Sequence, residues 1–350
     1  MTTYPSLTIA IPAYNEEKYV KNVIKGFLEQ DFDGLKEILI ADGGSNDKTI
    51  EIVDRLSAQD SRVKLFINPK RKQSYGLNIL LGKATGDIFL RADCHCIYGK
   101  DYIYNCVHSL LASKALNVGG AQRFIAIDSF QSGVCLASRS ILGNGSAKYR
   151  DPNYSGYADT VFLGCFWRKD LVEIGGYNEK ATTNEDAELN LRLLENNPQA
   201  VYVSSQIKVW YYPRSTPRGL WTQYFKYGRG RYITNSTHGG KSPVRTKIPA
   251  LVFSLLIFGS LFTAFQLDFI SILIIPSIVV LLLLFESLRI TIKYRNDFAH
   301  LFWRGSETGH PSFVSRLFYC FIALLIMPIS YVFGGIFQMI RHRLFGIDGW

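Results

Sequence analysis

The chain has 350 residues, with 39 Lys and Arg against 29 Asp and Glu for a formal charge of +10, and 47% of its residues are hydrophobic. That length admits one large domain with an appendage and leaves too few apolar segments for a transporter that encloses a pathway. The basic excess forms no long run and much of it flanks apolar stretches, which argues against nucleic acid and for lipid head groups as anionic partners.

Residues 7–12 form a short apolar strand ending in a turn, and residues 15–29 read as a helix with Val20, Val23, Ile24 and Phe27 on one face. A strand over 37–41, a helix over 47–58 with Asp47 near its start, and a strand over 63–68 continue the alternation. Residues 73–85 add a helix through Leu77, Leu80 and Leu81, and a buried strand over 88–90 runs straight into Arg91-Ala92-Asp93. Such alternation predicts an α/β domain with a mostly parallel sheet, helices on its faces and ligands at the C-terminal strand ends. Asp93 is thereby delivered to the same sheet edge as Asp42. Residues 130–159, rich in Gly, Ser and Asn, predict a mobile loop over the site, and residues 187–194 a helix.

Composition changes near residue 248. Residues 248–267 are uncharged and 269–285 form a shorter apolar run, close to what crosses a ~30 Å hydrocarbon core. They predict two spans joined by a tight turn at Gln266-Leu267-Asp268. Residues 317–340 are long enough for a third, but Pro328 and Gly334-Gly335 leave a re-entrant element open. The expected division is a catalytic domain over 1–240 and a membrane region over 241–350. Residues 1–6 carry no basic or apolar leader, so the catalytic part is expected to stay cytoplasmic. Lys241, Arg245 and Lys247 before the first span, and Arg289, Lys293, Arg295 and Arg304 after the second, fit a hairpin with both ends inside. Six scattered cysteines then stay reduced. Cys94-His95-Cys96 with Cys106 and His108 lacks the paired spacing of a zinc site.

Three acidic clusters could carry chemistry: Asp42, which ends the second strand, Asp93 with His95, and Glu185-Asp186. Clusters of this kind can hold a cation that neutralises a leaving anion and can supply a base for an attacking hydroxyl. A cation held by Asp93 and His95 suits the first task and Asp186 the second. The plainer readings are a turn carboxylate for Asp42, beside Gly43-Gly44, and first-turn acids that complement a helix dipole for Glu185 and Asp186.

The segments Ile11-Pro12-Ala13-Tyr14-Asn15-Glu16-Glu17, Ala41-Asp42-Gly43-Gly44-Ser45-Asn46-Asp47, Asp93-Cys94-His95 and Asn184-Glu185-Asp186-Ala187-Glu188-Leu189-Asn190 occur in that order. Together they resemble the motifs of family-2 inverting glycosyltransferases with the GT-A fold. Within that family the chain is most similar to the succinoglycan-type glucosyltransferases of exopolysaccharide assembly, over residues 7–231. The resemblance implies that Pro12, Tyr14 and Glu16 line the nucleotide pocket and that Asp42 hydrogen-bonds the uracil. It further implies that Asp93 and His95 meet the ribose-diphosphate and its Mg²⁺ or Mn²⁺, and that Asp186, with Glu185 beside it, supplies the base. His95 departs from the family pattern, where most members carry another Asp. An imidazole ligand favours Mn²⁺, and a histidine that only hydrogen-bonds is the equal alternative.

Residues 220–232 mix Trp221, Tyr224, Phe225 and Tyr227 with Lys226, Arg229 and Arg231, a pattern suited to a membrane surface. Gln223-Tyr224-Phe225-Lys226-Tyr227 distantly resembles the QxxRW signature of processive synthases, which implies a role for Gln223 at the acceptor. Arg229 and Arg231 face an even choice between a pyrophosphate contact and lipid head groups. The resemblance implies inverting transfer of a hexose, UDP-glucose being the preferred donor, to a lipid-diphosphate-linked saccharide in bacterial exopolysaccharide or surface-glycan synthesis. Such an enzyme is expected at the inner membrane beside other polysaccharide-assembly enzymes. Alternatives are a polyprenyl-phosphate glycosyltransferase, a short processive synthase, and an inactive membrane scaffold of the same fold.

Overall fold

In β1 (Leu7–Ala13), Leu7, Ile9, Ala10 and Ile11 have no exposed surface, as expected of a strand covered on both faces. β1 runs parallel to β2 (Leu35–Asp42) on one side and β4 (Ile88–Arg91) on the other, with β3 (Val63–Ile67) parallel beyond β2. The helices between them, α1 (Val20–Leu28), α2 (Thr49–Gln59) and α3 (Gln73–Lys83), complete the predicted alternation. α1 begins later than its periodicity suggests, because Asn15 adopts a left-handed backbone (φ 56°) that ends β1 in a loop. This computed structural model describes residues 4–144, 147–241, 243–266, 272–347 and 349.

After β4 the sheet turns antiparallel, which the alternation did not foretell. β5 (Cys96–Tyr98) and α4 (Tyr102–Ser113) lead to β6 (Asn117–Phe124), and β8 (Phe162–Trp167) pairs with both β4 and β6. α7 (Arg168–Glu173) and α8 (Glu185–Asn196) precede β9 (Val201–Tyr211), which pairs with β5 and with β7 (Gly156–Tyr157). The described strands follow the order β3-β2-β1-β4-β8-β6-β9-β5, with β7 on β9. From β1 the chain moves outward through β2 and β3 and then returns to the other flank of β1 as β4. That reversal is a topological switch point, and in open α/β sheets ligands bind in the crevice above the C-terminal strand ends at such a point, here β1 and β4.

The chain divides into two compact units, Met1–Arg123 with Asp151–Tyr211, and Phe124–Arg150 with Tyr212–Gly349. The second contains α5 (Ser129–Ala137), α6 (Ile141–Asn144), α9 (Pro217–Thr237), α10 (Ile248–Gln266), α11 (Ile274–Lys293), α12 (Phe298–Leu301) and α13 (Phe313–Phe345). Residues 124–150 and 212–240, which lie before the expected cut at residue 240, thus cluster with the C-terminal helices. Residues 130–159 are no open loop. Asp128 caps α5 by accepting from the Gln131 N–H at 2.8 Å, and every residue from Phe130 to Ala137 is buried. The Gly and Ser content reflects close packing: a Cβ on Gly133 would lie 2.3 Å from the Tyr319 backbone of α13.

α10, α11 and α13 are each long and apolar enough to cross a membrane, as in a membrane protein. The expected turn at Gln266-Leu267-Asp268 and the start of the second span at 269 lie outside the described residues. α13 is continuous through Pro328 and Gly334-Gly335, so the chain does not turn back there. The glycines serve a crossing instead. A Cβ on Gly228 of α9 would sit 1.9 Å from the Tyr331 carbonyl oxygen, and one on Gly334 would sit 2.0 Å from that of Phe225.

Candidate active site

The loops after β1 and β2 are tied to each other by hydrogen bonds. Asn15 N–H donates to Ser45 Oγ at 2.8 Å, Asn46 N–H to Asn15 Oδ1 at 3.0 Å, and Glu16 N–H to Thr49 Oγ1 at 2.7 Å. Asp42 is buried, and its Oδ2 accepts from the N–H groups of Gly44 at 2.7 Å and Ser45 at 2.9 Å. This is the turn role that Asp42 beside Gly43-Gly44 suggests, with Gly44 supplying the required φ of 78°. The same crevice edge carries half-buried Pro12, exposed Tyr14 and half-buried Glu16.

At the end of β4 a charged cluster is built around one arginine. Arg91, only 3% exposed, directs Nε to Asp93 Oδ1 at 3.4 Å and Nη1 to Glu185 Oε1 at 3.4 Å and to Asp186 Oδ1. Glu185 and Asp186 begin α8, so two distant segments are joined by a single guanidinium. Gln73 Nε2 adds a 3.2 Å hydrogen bond to Asp93 Oδ1, and the Asp93 N–H donates to the Tyr98 hydroxyl at 2.7 Å. Arg91, Gln73 and Tyr98 were not singled out from the sequence. A signal for Arg91 existed, since a lone cation closing the apolar run Ile88-Phe89-Leu90 needs a carboxylate partner.

Burial pushes the Asp186 carboxyl up to about 8; the neighbouring Glu185 and Asp93 charges push the same way and the Arg91 guanidinium opposes them. Some 27% of its side chain still reaches solvent, so a reactant can reach it. A carboxylate whose proton affinity lies near neutral pH is suited to general-base work. Tyr177 lies among the same charges, its buried hydroxyl without a hydrogen-bond partner among the described residues.

His95 turns its Nδ1 toward Glu16 Oε1 at 3.3 Å, with the Tyr211 ring edge-on at 5.3 Å. Among the described residues no three His, Cys, Asp or Glu side chains form a metal-binding group. The two flanking thiols are poor ligands as placed: burial, then nearby carboxylates, drives Cys94 and Cys96 well above the ordinary thiol value. Two oxygen or nitrogen donors from the protein still fit a cation whose other ligands are diphosphate oxygens.

In the second unit, Gln223 donates through Nε2 to the Tyr227 hydroxyl at 3.1 Å. Arg229 donates through Nε to Gln338 Oε1 of α13 at 3.1 Å and lies over the Phe337 ring. Arg231 buries its Nε. Arg229 therefore belongs in part to the α9–α13 packing.

Residues 8–167 match the sequence model of glycosyl transferase family 2. The chain is also 33% identical over 261 residues to the succinoglycan biosynthesis protein ExoA of Rhizobium meliloti, which covers 74% of this chain and 78% of that protein. The chain belongs to glycosyltransferase family 2. It is 29% identical over 192 residues to a GalNAc(5)-diNAcBac-PP-undecaprenol beta-1,3-glucosyltransferase of Campylobacter jejuni, covering 52% of this chain and 57% of that one. In fold it is similar to a mannosyltransferase of Pyrobaculum calidifontis solved with GDP-Man and Mn2+, with a TM-score of 0.50 and 14% identity over 97% of this chain and 88% of that chain. This family-2 glycosyltransferase thus has the GT-A fold, with its four sequence motifs at the loop ends just described.

Proposed function

We propose that this glycosyltransferase moves a hexose, with inversion, from a uridine-diphosphate donor to a lipid-diphosphate-linked saccharide in bacterial exopolysaccharide or surface-glycan synthesis. One observation carries the reading: a single buried guanidinium holds Asp93, at the crevice, and Asp186, at the start of α8, on different nitrogens. Asp186 takes the proton from the acceptor hydroxyl as it attacks the anomeric carbon. Glu185 keeps that carboxyl basic, and Arg91 fixes its position. Pro12, Tyr14 and Glu16 flank the nucleotide, and Asp42 shapes the loop on which it rests. A divalent cation, Mn²⁺ by the chemistry of His95, would be held by Asp93 and His95 and neutralise the leaving diphosphate. Attack from the side of Asp186 with departure toward Asp93 gives inversion. Support for the acceptor comes from the undecaprenyl diphosphate in the Campylobacter enzyme's name and from three membrane-length helices in this chain.

The test uses full-length protein in phospholipid vesicles, a panel of UDP- and GDP-sugars, and a polyprenyl-diphosphate-linked saccharide. Transfer from one UDP-hexose, dependent on added Mn²⁺ and giving the inverted anomer by NMR, is the expected result. A retained anomer, or equal turnover with the lipid diphosphate omitted, sinks the reading.

A further inference from the structure

Arg150 ends a short 3-10 turn, Lys148–Arg150, in the second unit. Its guanidinium lies over the Phe124 ring at 4.6 Å and the Tyr149 ring at 5.1 Å. Its Nη1 is buried and meets no hydrogen-bond acceptor among the described residues. Burial dominates its surroundings; Tyr149 hydrogen-bonds the guanidinium, and the Tyr224 and Tyr227 phenols lie near enough to act on it electrostatically. Tyr227 is itself held by Gln223.

Arginine cannot shed its charge, and a buried N–H without an acceptor is destabilising. The two ring faces offset part of this as cation–π contacts, and Tyr149 also hydrogen-bonds the guanidinium, but Nη1 keeps no acceptor among the described residues. An anion with several oxygens would complete the arrangement: the planar fork of a guanidinium matches a phosphate, and phenol hydroxyls can donate to the same oxygens. Arg229 is a weaker candidate because its Nε already serves Gln338. The same unit contains the three membrane-length helices, and α9, which bears Tyr224 and Tyr227, packs against one of them, α13.

We propose that Arg150, set against the Phe124 and Tyr149 rings, is the receptor for the phosphate of a polyprenyl-linked acceptor. This deepens the reading above and rests on its lipid-linked acceptor, not on the identity of the donor. The shared chemistry is a phosphate, which a nucleotide could also bring, so the two sources are measured apart.

Full-length wild type, Arg150→Gln and Arg150→Lys are compared for binding of polyprenyl diphosphate in phosphatidylcholine vesicles, of phosphate-free polyprenol in the same vesicles, and of UDP. Arg150→Gln should weaken polyprenyl diphosphate binding by roughly tenfold to a hundredfold, the size of a lost charge-assisted hydrogen bond. Arg150→Lys should lose less, and UDP affinity should hold for both. Unchanged lipid affinity overturns the proposal, as does loss confined to UDP or an equal loss for polyprenol. If Arg150→Gln does not fold, Arg150→Lys and Tyr227→Phe decide. A raised KM for the lipid acceptor with kcat kept supports the site, and an unchanged KM in both variants rejects it. Failure of UDP to bind even the wild type would instead count against the donor assignment.

Discussion

Arg91 in the first unit meets three carboxylates, whereas Arg150 in the second meets phenols and ring faces. The first arrangement supplies its own counter-charge, so its cost of desolvation is met within the fold and its parts are fixed before any substrate arrives. The second leaves a donor unanswered among the described residues, which suits a place where the anion comes from outside. A buried cation thus says different things about function depending on who provides its partner.

The sharpest way to probe the first arrangement is Asp186→Asn, which keeps shape and removes the proposed base. Transfer should fall by about 10²–10⁴-fold while UDP affinity stays nearly level, as turnover and calorimetry would show. Activity within about tenfold of wild type would remove Asp186 from that role. Arg91→Met should destabilise the first unit by roughly 3–5 kcal/mol, because three carboxylates are left without their cation. Thermal unfolding in detergent reads this directly, and an unchanged midpoint would mean that the carboxylates are held by other groups.

In the second unit, Gly228→Ala should cost about 1–3 kcal/mol through the clash with the Tyr331 carbonyl oxygen. Gly26→Ala in α1, where nothing lies within 4 Å of the new Cβ, is the control and should be neutral or slightly stabilising. Equal effects at both positions would refute the tight crossing. The smallest change expected is in pH dependence. As the proposed base Asp186 must be ionised, so activity should fall as pH drops through about 8, and Glu185→Gln removes one of the charges that raise that value. The acid limb of kcat should therefore move to lower pH by up to roughly one unit. A limb that stays in place would show that Glu185 does not set it. The same shift has a stability side: the folded state binds a proton that the unfolded state has released, so stability declines as pH rises from the ordinary carboxylate range to about 8.

The parallel half of the sheet was legible because β1, β2 and β4 are short apolar runs whose character depends on little but burial. The antiparallel half was not, since β6 and β8 carry Gly119, Gly120 and Gly164 and owe their pairing to partners far along the chain. Gly and Ser in α5 and the glycine pair in α13 suggest looseness when read locally, yet both permit close backbone approach, which only the facing helix reveals. At the candidate site, the four motifs located the loop ends. Asp42 makes the turn hydrogen bonds that its Gly43-Gly44 neighbours suggest, whereas Arg91 became visible only when the carboxylates around it were placed.

α13 has 33 residues, about 50 Å of helix at 1.5 Å per residue, against a hydrocarbon core near 30 Å. The surplus must be taken up by tilt or by standing clear of the lipid, and which of these occurs depends on bilayer thickness. Because glycines lock α9 to α13 at fixed register, any tilt of the long helix carries the aromatic-basic helix with it. With α13 spanning the bilayer, acyl-chain length would become an input to how this pair of helices meets the membrane.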